Sequence, residues 1–512
     1  MIQFIHFPII IVSLFVVSLV SPSLSTNAVD TWCSRTPYPD VCNHIFNAKH
    51  FNPTKLSEFK TMARKIALDT ALATETLTKQ LGLNSPTEKE SAALADCLHL
   101  YKITILQLNK TFSHKCSDFD IQTWLSSALT NLDTCRAGFA DLHVAFPLLL
   151  NNNNVTKLIS NSLAMNNYSK SNSETGYRRG FPTWVRARDR RLLQAESPKA
   201  NVVVAQDGSG NYRTIAAALA AGRRSGSGRF VIYVKKGVYE ENVVIGNEMK
   251  NIMLLGDGLR YTIVTGSRSV GGGSTTFNSA TVFVSGERFI GRGITFRNTA
   301  GPENYQAVAL MSGSDRSVFF RCGFEGYQDT LYAHSQRQFY RECYIYGTID
   351  FIFGNAIVVL QNCIILVRKP IHGQECTVTA QGRMEPNQNT GISIHNSRVM
   401  AAADLEPVRS SVRTYLGRPW NQYSRTVYLQ NYLDDLVNPA GWSEWSGDFG
   451  LNTLYYGEYK NFGPGSSTNN RVKWKGYRVI TSATEASTFT VGNFIGGNSW
   501  LPETGVPFTA GL

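Results

Sequence analysis

The chain has 512 residues, 43% of them hydrophobic, and a formal net charge of +12. That length calls for more than one domain, and the apolar content is ample for folded cores. Nine cysteines occur, none in a CxxC or a Cys/His cluster with zinc spacing, so no metal site is expected.

The apolar run from Ile9 to Val20 is about a dozen residues, the length of a signal-peptide core and short for a membrane span. Residues 1–25 are read as a signal peptide. No basic segment precedes the run, so an uncleaved anchor is the alternative. No other long apolar run follows. Three sequons, at Asn109, Asn154 and Asn167, suit a secreted and glycosylated chain. The cysteines are compatible with an oxidising compartment.

The first third is helical. Leu56, Phe59, Ala63, Ile66, Ala73 and Leu77 recur at steps of three, four or seven. Leu94, Leu98, Tyr101, Ile105, Leu108 and Phe112 form a second stripe, and Ile121, Leu125, Ala128, Leu132, Cys135, Phe139 and Leu142 a third. Each set falls on one helix face, and Gly82 with the following Asn-Ser-Pro ends the first helix. A small helical bundle over 26–163 follows, with no catalytic constellation. A polar stretch begins at the four asparagines 151–154 and runs to about Lys199. It reads as an exposed linker, with 164–198 as the segment between domains. Within it stand Arg190, Arg191, Leu192 and Leu193, either a solvated basic patch or a processing site.

From Asn201 the period is two. Short β-rich runs are separated by Gly, Asn and Asp, with no long helical pattern between them. The runs "SVFFRCGF", "QFYRECYI" and "VVLQNCII" align on Cys322, Cys343 and Cys363, at intervals of 21 and 20. Fixed-period similarity marks a solenoid, and this period suits a parallel β-helix over 199–512. Asp329 in "GYQDTLY" and Asp350 in "GTIDFIFGN" share the interval, 350 − 329 = 21. They are therefore expected on adjacent rungs, among Tyr327, Tyr332, Phe351 and Phe353. Two carboxylates that close raise the pKa of one partner, giving a neutral acid beside a carboxylate. The same register allows a Cys322–Cys343 disulfide. Competition from Cys363, or three reduced thiols in a core stack, are the alternatives.

These motifs, with "DGSGNYRTI" at 207–215, "LGRPW" at 416–420 and "WLPETGVPFTAGL" at the C-terminus, resemble the plant pectin methylesterases (pectinesterases). The N-terminal region is similar to the pectin methylesterase inhibitor domain that precedes many of them. The resemblance implies an all-β right-handed parallel β-helix behind an all-α helical domain, and no cofactor. It pairs Cys33 with Cys42 and Cys97 with Cys135. It makes Asp350 the nucleophile, Asp329 the general acid and later base, and Gln328 the oxyanion stabiliser. Gln306, Arg418, Trp420 and Thr276 become substrate-binding or orienting residues. It also implies cleavage at the Arg-Arg-Leu-Leu site, which releases an inhibitor-like pro-region.

The chemistry is consistent on its own terms. Ester hydrolysis needs a nucleophile, an oxyanion site and a proton for the departing alcohol, and Arg418 offers Asp350 a counter-charge. A serine triad is a poor alternative: no GxSxG occurs, and His334, His372 and His395 have no triad setting. A depolymerase would need further acids, of which adjacent Asp434 and Asp435 are the only hint. The expected partners are methylesterified pectin, the pro-domain in cis, a proteinaceous pectinesterase inhibitor and a subtilisin-like processing protease. No nucleic acid is expected, and the chain is read as a monomer, secreted to the cell wall.

Overall fold

The computed structural model describes residues 28–49, 51–166, 199–222 and 228–512, and the backbone of 177–178 and 181–182. The signal segment, Asn167 and the Arg190–Leu193 site lie outside the described residues.

The helical domain begins with α1 (Ala28–Cys33) and α2 (Pro39–Ala48), joined by the Cys33–Cys42 disulfide. Three long helices follow: α3 (Leu56–Leu83), α4 (Glu88–Lys110) and α5 (Asp118–Asp141). The starts of α4 and α5 carry side-chain caps. The Glu90 amide donates to the Thr87 hydroxyl (3.2 Å). At α5 the Asp120 amide donates to Ser117 Oγ (3.2 Å) while the Ser117 amide donates to the Asp120 carboxylate (3.1 Å), a reciprocal capping box. Much of each apolar stripe turns inward, with Phe59, Ile66, Leu94, Tyr101, Leu108, Leu125 and Phe139 all buried. The Cys97–Cys135 disulfide ties α4 to α5. Asn109 is exposed in the last turn of α4, and Asn154 is half-buried just before the last helix.

The polar stretch expected from residue 151 is not all linker. After a short α6 (Leu148–Asn151), residues Val155–Asn166 form α7, three residues past the expected boundary at 163. Val155, Leu158, Ile159 and Leu163 enter the bundle core. The flanking asparagines mask this short stripe, and some of them are themselves satisfied inside. Asn161 exchanges two 2.9 Å hydrogen bonds with the Tyr38 backbone, and Asn166 Nδ2 donates to Gln122 Oε1 (2.7 Å).

Residues 202–479 wind into a right-handed parallel β-helix of three sheets with eleven, eight and seven strands. Each central turn contributes a strand to each sheet, the end turns add strands chiefly to the eleven-stranded sheet, and residues one turn apart pair side by side. Gly323 pairs with Tyr344 and Tyr344 with Ile364, so the preceding Cys322, Cys343 and Cys363 stack as the repeat requires. The interior core is built from β-helix residues alone, from Val204 to Tyr456, so this domain does not depend on the helices for its fold.

The Cys322–Cys343 disulfide does not form. All three stacked cysteines are buried free thiols. Parallel side chains on neighbouring strands keep their Cβ atoms at the strand spacing of about 4.8 Å, beyond the range of about 3.5–4.5 Å that a disulfide needs. The thiols donate instead to backbone carbonyls: Cys322 to Phe320 (3.6 Å), Cys343 to Phe319 (3.3 Å) and Cys363 to Tyr340 (3.7 Å).

The helical domain packs on the outer face of the seven-stranded sheet. One apolar cluster joins bundle residues to Phe277, Phe283, Val308, Met311, Tyr332 and Phe353. At one end of this contact Arg337, almost fully buried, bridges Asp315 of its own domain (2.6 Å) and Asp120 of α5 (2.7 Å). Lys110 pairs with Glu287 nearby.

Candidate active site

Asp329 and Asp350 occupy one column of the seven-stranded sheet. Leu331 pairs with Ile352 and Tyr332 with Phe353, so the two aspartates, each two residues earlier, lie on adjacent rungs. Both are buried, and both have left-handed backbone, at φ 63° and 51°. Such conformations cost an ordinary residue about 1 kcal/mol or more and concentrate at functional sites.

Arg418 reaches the pair from the strand Thr414–Pro419. Its Nη2 donates to Asp350 Oδ2 (2.6 Å) and its Nε to Oδ1 (2.9 Å), a bidentate fork. Burial opposes the Arg418 charge, but the Asp350 carboxylate outweighs it and raises the guanidinium pKa. Asp329 has no such fork. Burial first, then the Asp350 carboxylate and then Asp141, push its pKa well above the usual carboxylate range.

A cavity of about 350 Å³ opens over the pair. Thr276, Gln306, Gln328, Asp329, Asp350, Arg418 and Trp420 all line it, so the residues expected to be catalytic or substrate-binding are brought together. Of the four rings flanking the aspartates, Tyr332 and Phe353 line the cavity and stack at 4.2 Å. Phe351 points into the β-helix core, and Tyr327 lies under the Arg368 guanidinium at 3.8 Å. Trp445 was not legible beforehand. It comes from the loop one turn beyond Arg418, where Trp442 bridges Gly417, and covers the Arg418 guanidinium at 4.4 Å. Asp434 and Asp435 are bound by Arg409 outside the cavity.

The roof of the cavity is α5, through Thr134, Ala137, Gly138, Ala140 and Asp141. The helix is largely apolar toward its bundle, where Asn131 Nδ2 donates to Thr104 Oγ1 (3.2 Å), and polar toward the β-helix, and the polar side is also covered. Thr130 Oγ1 accepts from Asn355 Nδ2 (2.9 Å), and Thr134 Oγ1 bonds His334 Nε2 (2.9 Å). Burial lowers the His334 pKa to about 3, so that ring stays neutral. Asp133 accepts from Asn421 (3.4 Å) beside Trp420, and Asp141 accepts from the Thr276 amide (2.8 Å). Steps of three or four from Thr123 through Ser126 or Ser127 to Thr130 and Thr134, with no Lys, Arg or Glu over 121–135, were the available signal for this second face.

Among the described residues no group of three or more His, Cys, Asp or Glu could hold a metal ion, and no helix is long and apolar enough to cross a membrane. Residues 201–498 match the family model described as Pectinesterase. The chain belongs to the pectinesterase family. Ahead of the pectinesterase domain, residues 27–165 match the model described as Plant invertase/pectin methylesterase inhibitor. The chain is 59% identical over 505 residues to Pectinesterase 2 of Citrus sinensis, covering 98% of each. It is 56% identical over 512 residues to Probable pectinesterase/pectinesterase inhibitor 17 of Arabidopsis thaliana, again covering 98% of each. A carrot pectin methylesterase structure superposes with a TM-score of 0.61 at 57% identity, over 62% of this chain and 100% of its own. A pectin methylesterase of Aspergillus niger gives 0.52 at 31% identity, over 59% and 96%.

Proposed function

We propose that the pectinesterase domain hydrolyses galacturonate methyl esters in pectin through Asp350 and Asp329, and that the helical domain holds it silent. The Asp350 carboxylate attacks the ester carbonyl. The amides of Gln328 and Gln306 donate to the developing oxyanion. As the C–O bond to methoxide breaks, protonated Asp329 gives up its proton and methanol leaves. The product is an anhydride between Asp350 and the sugar carboxyl. Asp329, now ionised, takes a proton from water. The hydroxide formed adds to the sugar acyl carbon and frees Asp350. The sugar lies on Trp420, beside Thr276.

The observation that carries this reading is the asymmetry of one stacked pair. Asp350 is held by a bidentate arginine, while its neighbour Asp329 is pushed toward the neutral form. That difference separates the roles of nucleophile and acid. The experiment is methanol release from methylated pectin by residues 199–512 carrying Asp350→Asn or Asp329→Asn. Each loses about 10²–10⁴-fold with an unchanged circular dichroism spectrum. Activity near wild type in either variant removes that residue from the mechanism.

Polymeric substrate cannot reach a cavity roofed by α5, and a tethered cap has a high effective concentration. Cleavage after the Arg190–Leu193 motif by a subtilisin-like protease then frees the enzyme, and a separate inhibitor protein of the same helical type would compete for the same groove. In this reading residues 1–25 are a signal peptide, the glycans at Asn109, Asn154 and Asn167 leave with the pro-region, and the monomeric enzyme acts in the cell wall. Replacing Arg190 and Arg191 with Ala leaves the chain uncut and low in activity. A secreted wild-type chain beginning near residue 26 with full activity refutes the pro-region reading.

A further inference from the structure

Asp329 and Asp350 repeat the same left-handed turn on successive rungs, but their backbone amides are satisfied differently. The Asp329 amide donates to the carbonyl of Ile349 on the next rung (3.0 Å). The β-helix then lengthens. Leu331 pairs with Ile352, 21 residues on, whereas Ile352 pairs with Thr379, 27 residues on. Two residues before Thr379 stands Thr377, the third member of the Asp329–Asp350 column. The Asp350 amide donates to the Thr377 hydroxyl (2.9 Å), not to a rung carbonyl. The same hydroxyl donates its proton to Asp350 Oδ1 (2.6 Å). Thr377 is itself buried, and its own amide donates to the carbonyl of Thr348 (3.0 Å).

We propose that Thr377 is a positioning residue for the nucleophile. Its single hydroxyl clamps both the backbone and the carboxylate of Asp350, sharing Oδ1 with the Nε of the Arg418 fork. The inference rests on the role of Asp350 argued above. One oxygen accepts the only hydrogen bond from a buried amide in a strained turn and directs its proton at the carboxylate of that residue. The side-chain rotation that aims Asp350 at the ester carbonyl is therefore set by two side chains, Thr377 and Arg418. Without the hydroxyl, a buried N–H loses its partner and the carboxylate loses one of its donors. Misplacement of a reacting group by about 1 Å can cost on the order of 10²-fold in rate.

The test uses residues 199–512 with Thr377→Val, which keeps the shape and removes the hydroxyl, and Thr377→Ser, which keeps the hydroxyl. Asp350→Asn is run in parallel. Thr377→Val is expected to lower kcat by roughly 10–100-fold with KM little changed, the signature of a group that aims the reacting atom. Thr377→Ser restores kcat. Thr377→Ala, with less volume to accommodate, makes the same comparison should the valine variant melt early. Wild-type kcat in the valine and alanine variants, a fall in kcat matched by a rise in KM, or a serine variant as poor as valine, overturns the proposal. If Asp350→Asn is inactive while Thr377→Val is normal, only the role of Thr377 falls. If Asp350→Asn is active, the underlying reading falls instead.

Discussion

Asp141, the last residue of α5, accepts a hydrogen bond from the Thr276 amide at the rim of the cavity, and Asp96 of α4 accepts one from the adjacent Thr275 hydroxyl. Two neighbouring residues of the enzyme are thus held by two carboxylates of its cap. Among the described residues neither carboxylate has a Lys or Arg ion-pair partner.

Docking is therefore expected to weaken as pH rises. Burial raises Asp96 and Asp133 to about 6, and raises Asp141 as well. A carboxyl raised in the docked state binds its proton more tightly there than in the free cap. Below the ordinary value of about 4 it is neutral in both states and costs nothing. Between about 4 and 6 the free cap ionises first and docking loses stability. Above about 6 the full penalty is present and constant. A chain nicked in the linker should stay associated on size exclusion at pH 4.5 and separate more readily at pH 7.5. Equal association at both, or tighter association at pH 7.5, contradicts this.

Gly138 marks a close approach of α5 to the enzyme, where a Cβ would meet Thr275 Cγ2 at 3.4 Å. Gly138→Leu adds three further heavy atoms there. It also improves helix propensity by roughly 0.8–1 kcal/mol, so the bundle itself is not weakened. The uncut Gly138→Leu chain should release methanol several-fold faster than uncut wild type. An uncut variant as silent as wild type means that α5 does not limit access.

Asp329 must carry a proton to act as the acid; burial, then Asp350, then Asp141 of α5 raise its pKa in the full chain, and Asp350 on the adjacent rung stays when the bundle is removed. A like charge that close keeps the proton on Asp329 above the ordinary carboxylate range, and it is lost once pH passes the raised value. The alkaline limb of kcat/KM for residues 199–512 should accordingly lie above the ordinary carboxylate value of about 4. A limb near the ordinary carboxylate value of about 4 assigns the acid elsewhere.

Alkylation with iodoacetamide separates the cysteines. Cys116 is partly exposed and should react in the native chain, while Cys322, Cys343, Cys363 and Cys376 are buried and should react only after denaturation. Non-reducing peptide mapping should recover Cys33–Cys42 and Cys97–Cys135 alone. A recovered Cys322–Cys343 peptide contradicts the parallel stacking of these side chains.

A solenoid converts sequence interval into spatial neighbourhood, because each turn lies directly on the one before. That is why the repeat of Cys322, Cys343 and Cys363, and with it the pairing of Asp329 with Asp350, could be read before any coordinate. The same property hid Thr377. The next turn is six residues longer, so the third member of the column falls outside the repeat, and only strand pairing reveals it. Trp445 reaches Arg418 from the irregular loop of the next turn, which carries no repeat signal. The fate of the polar side of α5 was also undecided. An amphipathic helix has the same period whether its polar face meets water or another domain, and here the tertiary structure sets that face on the enzyme's cavity. Local periodicity specifies which residues share a face, while what covers that face depends on long-range packing that no local pattern encodes.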